Sequence, residues 1–343
     1  MITIFVILIL YVNIIMSISF EEFKIFKIKN VTNIYNQNIS ILSYNYNLII
    51  RSIINNKKLK NNINIIILEY NNKVNILKNK LKNDINTIKN MQEPTLNNTI
   101  KNKNALLIGI NYINTKNELY GCINDVNNIY DFLKIQNFNS IKTITDNTKI
   151  KPTRFNIINE ITNMLNNSVS GDILFLFYSG HGSYTIDINL NEKTGYDQMI
   201  IPADLIPIVD DELKTIINKY LKKNVLLISL FDSCFSGSVL DLKYQWMDSL
   251  DNNNLTENIN ESETVGNVIM ISGCSDIQTS EDTVIDNKNQ GAMTWSFLKT
   301  FKENITWREL LKNMRDLLKN SKYSQVPQLS SGYFLNMDSK VFL

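Results

Sequence analysis

Histidine is nearly missing from this 343-residue chain, which holds one, His181, beside three cysteines, Cys122, Cys234 and Cys274. A single imidazole excludes the histidine-rich zinc and iron sites, which need several such ligands. The cysteines are too few and too widely spaced for a disulfide framework or a zinc knuckle, so they read as free thiols. A net charge of one strong sign is missing too: the balance is +2, with no basic stripe and no aromatics interleaved with arginine. Nucleic acid is therefore not an expected partner. Hydrophobic residues make up 44% and charged residues 20% of the chain. Both values are ordinary for soluble globular proteins, which excludes wholesale disorder and a membrane bundle. The length suits one large domain or two smaller ones.

Glycine is absent from residues 20–100, which are rich in Asn, Ile and Lys. There Ile67, Tyr70, Val74, Leu77, Leu81 and Ile88 recur at intervals near three and four, the pattern of an amphipathic helix. Before this stretch, residues 2–18 (ITIFVILILYVNIIMSI) form an uncharged apolar run followed by the small Ser19. Its length is short for a membrane span and no basic residue precedes it, so a signal or anchor stands beside a buried strand or helix as alternatives. Residues 91–104 (MQEPTLNNTIKNKN) read as a linker. The expected organisation is a signal or anchor segment at 1–19, an Asn-rich helical extension and linker at 20–102, and a main domain at 103–343.

From Ala105 the texture becomes short apolar runs, each followed by a polar or glycine turn and then a helical pattern: residues 105–110, 172–178, 224–231 and 267–273. Near-continuous hydrophobic strands are what a parallel sheet buried on both faces needs. Helical patterns lie at 124–133, 293–301 and 307–318, so strands and helices alternate. The fold class expected is α/β: an open, mostly parallel sheet with helices on both faces. Residues 245–264, rich in Asn, Ser and acids, look like a surface insertion of the kind where cleavage is tolerated, with Lys243 beside it as a candidate self-cleavage point.

Two of the apolar runs end in small polar turns, YSGHGS at 178–183 and FDSCFSGS at 231–238. In open α/β sheets ligands bind beyond the carboxyl ends of the strands, where these turns place His181 and Cys234. The two residues are 53 positions apart, enough for a complete crossover between neighbouring strands. An imidazole beside a thiol generates the nucleophilic thiolate and can then protonate a leaving amine. The amides of Gly182 and Cys234 could serve a tetrahedral oxyanion, where each donor is worth roughly 3 kcal/mol. Taken singly, a lone histidine is usually structural and a cysteine is often a small buried hydrophobe. Paired at two strand ends, they point to cysteine-peptidase chemistry.

SGHGS followed by DSCFSGS resembles the His and Cys signatures of metacaspases, in the caspase-like clan of cysteine peptidases. KNALLIGINY, LYGCINDV, GYDQMIIPAD, DDEL, SGCSDIQTS, GAMTWSFL and QVPQLS resemble further metacaspase blocks in the family's order, so the resemblance runs from about Lys103 to Leu335. It implies a caspase-like fold, a monomer, and cleavage of protein or peptide substrates after Lys or Arg, with His181, Cys234 and Gly182 catalytic. It also implies an acidic substrate pocket at Asp125 and Asp232, with Cys122 and Ser179 as further pocket residues. Carboxylates at the base of a cleft would pair with a cation and repel an acidic side chain. Read without the resemblance, Asp125 would be a helix-capping acid. The resemblance further implies activation by Ca2+ bound at Asp197, Asp210, Asp211 and Asp241; otherwise Asp210 and Asp211 read as acids at a helix start. The chain departs from the pattern at Phe235, where many relatives have His, and at Tyr184, where Gln is common. The rival readings are a silent caspase-like scaffold or adaptor, which intact His181 and Cys234 argue against, and a peptidase of asparagine specificity, which would not need both acids. The expected compartment is the cytoplasm, with the secretory route or a membrane anchor through residues 2–18 as the alternative.

Overall fold

The computed structural model describes residues 20–54, 63–90, 100–187, 195–233, 239–246, 255–258, 261–273, 282–285 and 288–343. The apolar run at 2–18, most of the linker, Cys234 with the turn that follows it, and Cys274 lie outside the described residues. The chain separates into two compact units, residues 1–94 and 95–343. Among the described residues no helix is long and apolar enough to cross a membrane.

The first unit holds two helices, α1 (Phe20–Ile54) and α2 (Ile63–Lys89), packed against one another. The Tyr46 and Tyr70 rings meet at 5.3 Å, and Tyr35 donates its hydroxyl hydrogen to Asp84 across 2.8 Å. The helix expected over residues 67–88 is present. Tyr70, Val74, Leu77, Leu81 and Ile88 lie on its covered face, while Ile67 remains 41% exposed. The covered positions run 63, 66, 70, 74, so Ile67 falls one residue beside the stripe at 100° per residue.

The second unit is built on an eight-stranded sheet ordered β2-β1-β3-β7-β10-β13-β8-β9. Its parallel part comprises β1 (Lys103–Gly109), β2 (Ser140–Thr145), β3 (Ile173–Ser179), β7 (Leu226–Asp232) and β10 (Asn267–Ser272). Its antiparallel edge comprises β13 (Gln328–Ser331), β8 (Tyr244–Trp246) and β9 (Leu255–Glu257). Every residue of β3 and β7 is buried, as strands covered on both faces require.

Side-chain alternation divides the strands between the two faces. On one face Leu106, Ile108, Leu174 and Leu176 pack with Ile157, Ile161 and Leu165 of α4 (Arg154–Asn166) and Leu213 and Ile217 of α5 (Asp210–Tyr220). Each such fully buried side chain contributes roughly 1.5–3 kcal/mol of apolar transfer. A bidentate Arg154–Glu212 pair, 2.8 and 2.7 Å, ties α4 to α5. The other face carries α3 (Cys122–Ile135), α6 (Ala292–Thr300) and α7 (Trp307–Asn320). Phe132 of α3 meets Phe297 and Phe301 edge-on at 5.5 and 4.9 Å. Helices on both faces of a mostly parallel sheet match the fold class expected from the alternating runs.

Smaller pieces border the sheet: β4 (Gly182–Ile186), β5 (Tyr196–Ile200) and β6 (Ile208–Val209) form a three-stranded sheet, and β11 (Asp282–Ile285) with β12 (Lys288–Gly291) forms a ribbon. The stretch 245–264, expected as a surface insertion, contributes β9 and part of β8 to the sheet edge.

Candidate active site

Strand register brings the strand ends that precede the two chemistry-bearing turns to one edge. Ser179, the last residue of β3, is the Cα partner of Asp232, the last of β7, and Gly109 of β1 pairs with Ser179 on its other side. His181 follows Ser179 by two residues, and Cys234 follows Asp232 by two. The strands are parallel and adjacent, so β3 and β7 end at the same carboxyl edge of the sheet on chains about 4.8 Å apart.

His181 is held at its backbone and at its ring. Its N–H donates to Tyr112 Oη at 2.9 Å, and its carbonyl accepts from Tyr178 Oη at 2.8 Å. Tyr112 Oη in turn donates to the Ile201 carbonyl at 2.6 Å. Burial pushes both phenols up, Tyr178 furthest, so they stay protonated donors across the whole working pH range. The Tyr112 ring lies against the imidazole, centroids 4.6 Å apart. Imidazole Nε2 stands 2.8 Å from the Asn117 carbonyl. A carbonyl only accepts, so Nε2 carries the hydrogen, and in the neutral ring Nδ1 keeps the lone pair that can take a proton. Tyr112, Tyr178 and Asn117 were given no role by sequence reasoning. Tyr112 sat inside a quoted block, but nothing in its spacing shows that it reaches residue 181.

Gly182 opens β4 opposite Ile200. Ile201 N–H donates to the His181 carbonyl at 3.0 Å, which makes 181 and 201 the hydrogen-bonded pair and 182 and 200 the other kind. In that second kind the amide points away from the partner strand. The Gly182 N–H is thereby directed out of the β4–β5 ladder.

Asp125 and Asp232 converge from different elements, and Ser179 joins them. Ser179 Oγ donates to Asp125 Oδ2 at 2.9 Å. Gly291 N–H donates to both Asp125 oxygens, at 3.0 and 3.1 Å. Thr294 donates to Asp232 Oδ2 through its N–H at 2.9 Å and its hydroxyl at 2.7 Å. The two acids are 1% and 4% exposed. A Cβ placed on Gly291 would lie 2.1 Å from Asp232 Oδ2 and 2.9 Å from Asp125 Oδ2, so the two oxygens are no further apart than the sum of those separations. Only glycine fits between them. Asp232 also does for α6 what its own N-cap does not: Gly291 offers no capping side chain, and the Asp232 carboxylate accepts the N–H of the third helical residue from outside. Asp125 reaches away from its own helix toward β3 and α6. Cys122, 5% exposed, stands one turn before Asp125 on the same helical face.

A second acidic group lies at the start of α5. Asp197, Asp210 and Asp211 bring one carboxylate oxygen each within 4.8 Å of one another. Asp210 is fully buried; its Oδ2 accepts from Gln198 N–H at 2.6 Å and its Oδ1 from Asp211 N–H at 2.8 Å. Asp197 Oδ1 is buried and meets no hydrogen-bond donor. Burial, then the charges of Asp187 and Asp211, hold the Asp197 carboxyl above the ordinary aspartate range. Hard oxygen donors, one of them lacking a partner, are the kind of group a divalent cation uses, and these three supply part of the roughly six to eight oxygens that calcium takes. Asp241, expected as a fourth ligand, is not among the converging oxygens; Lys214 lies 3.8 Å from its Oδ2. Asp187, Lys214 and Glu261, which partners Lys214 at 2.6 Å, went unmarked in the sequence.

Lys243, the candidate self-cleavage point, is hydrogen-bonded at both its side chain and its backbone. Its ammonium donates to the Glu261 carbonyl at 2.7 Å, and its own carbonyl accepts from Asn258 N–H at 2.8 Å.

Residues 103–243 match the family model described as metacaspase, peptidase C14 domain. Metacaspase-1 of Saccharomyces cerevisiae is 36% identical over 293 residues, covering 69% of this chain and 68% of that protein. Metacaspase-1 of Meyerozyma guilliermondii is 34% identical over 303 residues, 72% and 74% of the two chains, and that of Schizosaccharomyces pombe 35% over 298 residues, 70% of each. Among solved structures, a protein of Geobacter sulfurreducens superposes with a TM-score of 0.53 at 22% identity, covering 71% of this chain and 98% of that one, a likeness of fold. By motif, topology and relatives together, the chain belongs to the metacaspase family of cysteine peptidases, whose substrates are proteins.

Proposed function

We propose that the protein is a calcium-activated cysteine endopeptidase that cuts after Lys or Arg, with Cys234 as nucleophile and His181 as its acid–base partner. The convergence of Asp125 and Asp232 around Gly291, at the strand edge that delivers His181, carries the reading. Two buried carboxylates at that spacing repel one another unless positive charge faces them, and a substrate ammonium or guanidinium supplies it.

In the reaction His181 Nδ1 accepts the Cys234 thiol proton, and the thiolate adds to the carbonyl carbon of the bond to be cut. The Gly182 and Cys234 N–H groups stabilise the resulting oxyanion. Collapse of the tetrahedral adduct expels the amine, which takes its proton from His181, and leaves a thioester. Water, deprotonated by the same imidazole, then releases the acid and the thiol. The Asn117 carbonyl and the Tyr112 ring keep the imidazole in the required tautomer and orientation. Asp197, Asp210 and Asp211 would hold the calcium ion, whose chemistry here is structural: it neutralises clustered carboxylates that otherwise repel one another.

The test is a panel of short fluorogenic peptides ending in Arg, Lys, Asn or Asp, assayed with the full chain and with Cys234→Ala, in calcium and in chelator. Turnover of the Arg and Lys peptides alone, lost in Cys234→Ala and reversibly in chelator, is the expected result. Turnover of the Asn peptide alone overturns the specificity, indifference to chelation overturns the metal dependence, and no turnover anywhere favours a silent scaffold.

A further inference from the structure

Three acids converge where the resemblance implies four, and the chain itself suggests why. Helix α5 begins with Asp210 and Asp211 and carries Lys214 one turn on, at the spacing that shares a helical face. The Lys214 ammonium stands 2.6 Å from Glu261 Oε1 and 3.8 Å from Asp241 Oδ2. Asp241 has a side chain only 2% exposed and a left-handed backbone, φ 45°, which positions its carboxylate from a constrained turn. Leu240, Leu242 and Ile217 line the same recess.

We infer that Lys214 is the positioning residue for Asp241: it holds that carboxylate as an internal counter-cation and yields it to a divalent ion bound by Asp197, Asp210 and Asp211. The inference rests on the calcium reading above. An ion entering beside Asp211 repels the ammonium, which has a shorter contact with Glu261 to retain, and Asp241 is released to complete the oxygen shell. Until then Lys214 spares the site a fourth crowded negative charge. It therefore sets how much calcium is needed, because the ion must compete with a cation already in place.

The measurement is titration calorimetry with calcium chloride on the full chain carrying Cys234→Ala, which prevents self-cleavage during the experiment. Lys214→Met is expected to bind calcium at least tenfold more tightly, Lys214→Arg to bind like the parent, and Glu261→Gln to bind more weakly, since the ammonium then leans more heavily on Asp241. In Lys214→Met/Asp241→Asn the gain disappears. A gain that persists undiminished without Asp241 reduces Lys214 to a general charge effect and overturns the inference, as does an unchanged affinity in Lys214→Met. Should the parent and every variant show neither binding heat nor a calcium-dependent shift in melting temperature, the calcium reading itself falls and this inference with it.

Discussion

The two carboxylate groups of the catalytic unit differ in burial and in partners: Asp125 and Asp232 are both buried, whereas the second group includes the half-buried Asp211. Asp125 and Asp232 take hydrogen bonds from Ser179, Gly291 and Thr294, neutral donors fixed by β3 and the start of α6. Asp197, by contrast, keeps a buried oxygen with no donor and a carboxyl held above its usual range. Buried polar atoms that are fully bonded fix a structure, whereas one left without a partner raises its free energy until a ligand arrives. The first pair is thus held in place by the protein's own donors, as the proposed pocket for a substrate cation requires, and the second group keeps an acceptor open, as the proposed ion site requires.

Removing Asp232 tests the preorganised side and carries the largest expected effect. Asp232→Ala takes away a charge of the proposed cation pocket and also the acceptor that caps α6, leaving the Thr294 N–H without it. Truncating one member of a buried charged contact costs about 2–5 kcal/mol, so kcat/KM for the Arg peptide should fall on the order of 10²- to 10³-fold. A fall smaller than about threefold would show that the pair is structural and not a cation site.

Asp197→Asn should act in two opposite directions. It removes a buried charge that lacks a partner, so the metal-free chain should gain about 1 kcal/mol in urea denaturation. Calcium affinity should drop by roughly tenfold or more, because a ligand's negative charge is lost. The same residue sets a pH dependence. A carboxyl whose folded pKa is raised favours folding at low pH, fully below the unfolded value and less as pH rises through the folded one. With calcium the sign reverses: the ion binds the carboxylate, so affinity weakens as pH falls through the raised pKa, and Asp197→Asn should flatten that step.

The sheet was legible because β1, β3, β7 and β10 are continuous apolar runs, a pattern with few other solutions. β2 (SIKTIT) was not, since an edge strand alternating exposed and half-buried residues resembles any polar loop. Nor were β8, β9 and β13, three or four residues each. Of the site, the turns around His181 and Cys234 were visible as punctuation after apolar runs. The grouping of Asp125, Ser179 and Asp232 came from resemblance, because contacts across 54 positions are tertiary events that no local pattern encodes. Gly291 did leave a signal: a helix that starts without Ser, Thr, Asp or Asn at its N-cap must borrow an acceptor from elsewhere. Lys214 and Glu261 left none, since a lysine on an amphipathic helix ordinarily faces water.

The gentlest test of the comparison is Ser179→Ala. Ser179 donates one hydrogen bond to Asp125, and the Gly291 amide donates to both of its oxygens. A neutral bond of this kind is worth about 1 kcal/mol net, and the acceptor it leaves is still partnered. Catalytic efficiency on Arg peptides should therefore fall only about fivefold, mostly through KM, with a melting temperature near the parent's. If Ser179→Ala instead matched Asp232→Ala, the hydroxyl would have to act on the substrate cation directly, and the acids would be less fully partnered by the protein than their hydrogen bonds imply. A near-zero effect would mean that the Gly291 amide alone positions Asp125, which places the organisation of the pocket in the β12–α6 junction and not in the strand end.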